Sequence, residues 1–135
     1  MRPNRSTPAA TVIPVLIYPD VRAAVAWLSE AFGFTERVRI GENHRSQLNV
    51  GEGGAAIVGD VRHDRRPPRA GEVTQSVTVR VEDVRAHCER ARDARRADPH
   101  GADRLRVRRG QYEAEDFAGH RWTFSETLDD VAPEE

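Results

Sequence analysis

Residues 12–23 read VIPVLIYPDVRA, and residues 77–86 read VTVRVEDVRA. In each, an apolar stretch runs into the tetrapeptide Asp-Val-Arg-Ala, first at Asp20 and again 63 residues later at Asp83. An Asp placed directly after an extended run is a helix N-cap, because its carboxylate accepts from the free amides of the first turn. Beyond Asp20, the residues Val21, Ala24, Val25, Leu28 and Phe32 follow helical spacing, and Gly33 ends the helix. Beyond Asp83, the residues Val84, His87, Cys88 and Ala91 share one helical face. A repeat that occupies the same place in strand, cap and helix predicts a duplicated module.

Working outward, Val12 to Tyr18 is a strand with Pro14 at an edge, a start or a bulge. Phe34 to Ile40, His44 to Val50 and Ala55 to Val58 are three further strands, separated by the turns at Gly41 and Gly51 to Gly54. Val73, Gln75, Val77, Val79 and Val81 alternate with polar residues as an amphipathic strand. Tyr112 to Phe117 and His120 to Ser125 form a closing pair around Ala118 and Gly119. Between Arg95 and Arg108 only Leu105 and Val107 alternate properly, so an irregular segment and a short strand near 104–108 are expected. The class is α+β, with two βαβββ modules packed around a shared cleft. The expected divisions are a flexible tail at 1–11, a first module at 12–60 and an exposed linker at 61–71. A second module at 72–126 and an acidic tail at 127–135 follow.

Composition narrows the function. The 135 residues carry 21 basic and 22 acidic side chains, a formal net charge of -1. A nucleic-acid or membrane-surface binder would usually show a clear positive excess, so neither partner is expected. Every basic residue is Arg, which removes lysine Schiff-base chemistry. One Cys excludes a disulfide framework within the chain, and no apolar run approaches the roughly 20 residues of a membrane span. A soluble, cytoplasmic protein is the expectation. Residues 85–109 hold nine Arg against four acids, read either as a solvated face or as a patch for an anionic ligand.

No His pair has metal-ligand spacing on a helix, and no Gly-x-Ser-x-Gly elbow is present. His87 reads as a core-edge histidine, Cys88 as structural, and His120 as a donor that closes its hairpin. The polar residues near the expected cleft are Gln47, Asn49, Gln75, Glu113, Glu115 and Thr123. Trp122 and Phe124 share a strand face beside Tyr112. Core filling is the default for these rings, and a cleft floor for a flat organic ligand is the sharper alternative. Arg109 and Arg121 are placed to hold an anionic or carbonyl group.

The modules, and above all residues 109–124 (RGQYEAEDFAGHRWTF), resemble the glyoxalase / bleomycin-resistance / extradiol-dioxygenase superfamily, also called vicinal oxygen chelate. The strongest likeness is to its bleomycin-resistance-like members. In the enzymes of that family, His, Gln or Glu from the first, fourth, fifth and eighth strands hold a metal. Carried across, those positions fall near Ile13, at Ala56 to Val58, at Gln75 or Ser76, and near Thr123. Three of the four lack a suitable donor. The resemblance therefore implies a metal-free, cofactor-free protein that binds a small aromatic or amphipathic organic ligand, an antibiotic being one candidate, as a homodimer. Its candidate ligand-binding residues are Gln47, Asn49, Gln75, Arg109, Tyr112, Glu113, Trp122 and Phe124, with no catalytic or metal-binding residue assigned. The alternative is a metal-dependent lyase or dioxygenase with atypical ligands.

Overall fold

The computed structural model describes residues 6–69, 71–97 and 105–126. The first module comprises β1 (Val15–Tyr18), α1 (Val21–Phe32), β2 (Thr35–Ile40), β3 (Arg45–Val50) and β4 (Gly54–Asp60). The second comprises β5 (Ser76–Arg80), α2 (Val84–Ala97), β6 (Leu105–Arg108), β7 (Gln111–Glu115) and β8 (Arg121–Ser125). Each module builds a four-stranded sheet of the same topology, β1-β4-β3-β2 and β5-β8-β7-β6, with one parallel pair at β1/β4 or β5/β8. The repeated tetrapeptide does the same job twice. The Asp20 carboxylate accepts from the Ala23 amide at 3.1 Å, and the Asp83 carboxylate accepts from the Ala86 amide at 3.0 Å.

The two helices pack on each other and join the helix-covered faces of both sheets into one core. Phe32 at the end of α1 lies 4.6 Å from the Phe124 ring and 5.6 Å from the Trp122 ring, centroid to centroid. Gly33 turns the chain at φ 76°, and Arg90 from α2 sits over it, donating to the carbonyls of Glu30 at 2.8 Å and Ser29 at 3.0 Å. A Cβ at that glycine would stand 3.0 Å from the guanidinium, so both the left-handed backbone and the contact favour glycine. His87 bridges the modules as well. Its Nε2–H donates to the Phe32 carbonyl at 2.9 Å, and Nδ1 accepts from the Tyr112 hydroxyl. Burial pulls the His87 imidazole below its ordinary range, which keeps it neutral for this pair of bonds.

Of the residues expected as a flexible tail, 1–5 lie outside the described residues, but Pro8 is buried and the Ser6 carbonyl accepts from Gln47 at 2.7 Å. The linker is tied down at its start, where Arg65 donates to the Asp60 carboxylate at 3.0 Å and to its carbonyl at 3.1 Å. The acidic tail and the irregular segment at 98–104 lie outside the described residues.

Candidate functional site

Alternation along each strand sorts side chains to opposite faces of the sheet. In the first sheet, Leu16, Leu48, Ala56 and Val58 face the helices. The opposite, open face carries Val15, Ile57 and Gln47 in one row across β1, β4 and β3, with Asn49 two residues further along β3. In the second sheet, Tyr112, Ala114, Trp122 and Phe124 face the helices, while Glu113 and Thr123 stand opposite each other on the open face. Arg106, Glu113, Glu115 and Arg121 line a hollow of about 110 Å³ there.

Between the modules lies a cavity of about 300 Å³, lined by Val15 and Ile17 of β1, by Arg66 and Pro68 of the linker, and by Gln75 and His120. This seam is closed beneath by a polar clasp. His120 Nε2–H donates to the Ile17 carbonyl at 2.7 Å, and the Tyr18 hydroxyl donates to Asp116 Oδ2 at 2.6 Å. The same oxygen accepts from Trp122 Nε1 at 3.0 Å, while Oδ1 accepts from the amides of Ala118 at 3.1 Å and His120 at 2.9 Å. Burial pushes the Asp116 carboxyl above its usual range, and the donors from Tyr18 and Trp122 oppose that shift. Burial, reinforced by Asp116, also pushes the Tyr18 phenol well up, so it stays a donor.

The candidate residues therefore divide among several surfaces. Gln47 and Asn49 belong to the first open face, Gln75 to the seam and Glu113 to the second open face. Gln47 is only 3% exposed, because its amide donates to Ser6 and accepts from Arg37. Arg109 and Tyr112 line a different groove, between α2 and the β6–β7 hairpin. Trp122 and Phe124 are fully buried and Tyr112 is 1% exposed, all three turned toward the helices as core. The core reading of these rings, and of Cys88, matches their positions; a ligand on the open face would meet their backs through the sheet.

Two residues of the clasp went unread in the sequence. Asp116 begins an Asp-x-x-Gly turn, and that local signal marks a carboxylate that caps backbone amides. Nothing local to Tyr18 marks its phenol as the partner. His120 closes its own hairpin through its amide, which donates to Asp116 Oδ1, and its ring ties that hairpin to β1 of the other module.

Of the metal positions carried from the family, Gln75, Ser76 and Thr123 carry only neutral oxygen donors. Ile13 and Ala56 to Val58 offer no donor atom, and Ala56 and Val58 face the core. Among the described residues, no three His, Cys, Asp or Glu side chains converge.

Comparison with known proteins agrees with this architecture. No curated protein matches the chain. A solved structure of TioX from Micromonospora sp. ML1 is similar at 28% identity, covering 91% of this chain and 100% of that one, with a TM-score of 0.63. The bleomycin-binding protein of bleomycin-producing Streptomyces verticillus, solved with copper(II)-bleomycin, shares the fold at 22% identity. The alignment covers 86% of this chain and 94% of that one, with a TM-score of 0.58. The fosfomycin resistance protein FosX of Listeria monocytogenes, solved with Mn(II), shares it at 16% identity. Here the coverage is 90% and 94%, and the TM-score 0.61. The family description that fits the sequence spans residues 10–124. With that span and this pair of βαβββ modules, the chain belongs to the Glyoxalase/Bleomycin resistance protein/Dioxygenase superfamily.

Proposed function

We infer that this chain is a metal-free binding protein for a small amphipathic or aromatic organic molecule, and that it acts by sequestration without turnover. The observation that carries this reading is the replacement of the family's metal donors. Side chains without donor atoms stand at Ile13 and across Ala56 to Val58, while neutral amides remain at Gln47, Asn49 and Gln75. Such amides orient a polar organic molecule by hydrogen bonds, and without donors at the first and fourth strands they do not complete a metal's coordination. The ligand lies over the open sheet faces and the seam, touching Gln75, Asn49 and Glu113. Trp122, Phe124 and Tyr112 stiffen the sheet behind it.

The chain works as a homodimer in the cytoplasm. Support for a partner comes from the open face of the first sheet, where Val15 is 42% and Ile40 38% exposed beside polar neighbours. A second copy laid on such a face would bury these side chains and enclose the ligand. Among the described residues, no helix is long and apolar enough to cross a membrane.

The test is calorimetric titration of the full chain with bleomycin and then with a panel of other antibiotics, each with and without EDTA. Saturable binding with the same affinity under both conditions is expected. Gln75→Ala should weaken it by about tenfold, the worth of one hydrogen bond of roughly 1.4 kcal/mol. Affinity that disappears with EDTA, chemical conversion of the ligand, or no binding across the panel would each count against the reading.

A further inference from the structure

We propose that the groove between α2 and the β6–β7 hairpin is a second ligand site, selective for a small organic anion with an apolar body. It lies on the helix-covered side of the second sheet, away from the open faces and the seam, and does not depend on the function proposed for them. The groove exists because α2 stops short of the edge strand. Val107 and Tyr112 are partners across the β6–β7 ladder, yet Tyr112 is 1% exposed and Val107 58%. The cover ends between them, leaving a cavity of about 500 Å³ with Val84 and Val107 as its accessible apolar surface.

Its rim is cationic. Arg85 and Arg92 from α2 and Arg109 from the hairpin turn line the opening. Two carboxylates share the rim, Glu89 and Glu126. Glu89 is taken up by Arg92 at 2.9 Å. The guanidiniums of Arg85 and Arg109 make no hydrogen bond or ion pair with any described residue. Two uncommitted forked donors beside an apolar floor suit a carboxylate, sulfonate or phosphate monoester whose hydrocarbon part lies on Val107 and Val84. The guanidiniums outnumber the one rim carboxylate left over, Glu126, so an anion is favoured over a cation of the same shape, and an uncharged molecule would leave the guanidiniums idle.

The experiment is a fluorescence titration of the full chain with 1-anilinonaphthalene-8-sulfonate, alongside N-phenyl-1-naphthylamine, which has the same rings without the sulfonate. The expected result is saturable binding of the sulfonate at least tenfold tighter than that of the amine. Arg85→Gln combined with Arg109→Gln should weaken the sulfonate at least tenfold with an unchanged circular dichroism spectrum. Val107→Glu should do the same from the floor. Wild-type affinity in the double Arg variant, or equal affinity for the two probes, would overturn the proposal. So would a tenfold gain on removing residues 127–135, because the chain's own acidic end would then be the occupant.

Discussion

Replacing Asp116 with alanine removes an acceptor shared by four donors from two modules. Two of those donors, the Tyr18 hydroxyl and Trp122 Nε1, belong to side chains with no exposed surface. A buried donor left without a partner costs about 1–3 kcal/mol, so the pair together cost roughly 2–6 kcal/mol. The amides of Ala118 and His120 lie in a half-buried turn and regain part of their loss from water. Removing a desolvated carboxylate returns some energy, because burial already disfavours its charge. The net expectation for Asp116→Ala is a loss of about 2–5 kcal/mol, against a whole-domain stability of roughly 5–15 kcal/mol. Urea denaturation followed by circular dichroism at neutral pH measures it. Tyr18→Phe, which removes one donor and leaves the carboxylate three, should cost about 1–2 kcal/mol. The double variant should then show a coupling energy of about 0.5–3 kcal/mol, since the two groups are in direct contact. A loss below about 0.5 kcal/mol for Asp116→Ala, or additive single effects, would refute the clasp as a tie between modules.

Three other outcomes follow, two from the core and one from the open face. Trp122→Ala should destabilise by about 3–5 kcal/mol in the same denaturation assay, because it empties a fully buried site between Phe32 and Phe34. His87 has its folded pKa below the ordinary 6.5, so the unfolded chain takes up the proton first as pH falls. Its contribution is therefore complete above pH 6.5 and is lost progressively below it, and His87→Gln should flatten the stability-versus-pH slope between 6.5 and 5 relative to wild type. Sedimentation at micromolar concentration should give a dimer, and Val15→Glu, a charge on the open face, should shift it to monomer.

The elements that could be read from sequence were those with a local cause. The two Asp caps, the 3.6-residue spacing of Val21 to Phe32 and the alternation of Trp122 and Phe124 all act within a few residues, and each element stands where that signal puts it. The alternation from Val73 predicts a longer strand than forms. β5 begins at Ser76 because its parallel partner β8 begins at Arg121, after the tight turn at Gly119. The site was less legible because the pattern gives two faces without saying which one the helices cover. Trp122 and Phe124 thus share a face with each other but not with Glu113 and Thr123. Arg109 and Tyr112, close in sequence to Glu113, open onto the other side of the sheet. The contacts of Gln47 with Ser6, and of Tyr18 with Asp116, join residues 41 and 98 positions apart, and no local pattern encodes either.

Metal content bears most directly on binding without a metal. Untagged protein should be purified without chelator, incubated with Zn²⁺, Ni²⁺, Mn²⁺ or Fe²⁺, desalted and analysed by elemental mass spectrometry. No divalent ion above background is the expected result, because Ile13 and Ala56 to Val58 stand where donors would be needed. One ion per chain, or one per dimer, would contradict it and move the protein to the metal-dependent side of its family.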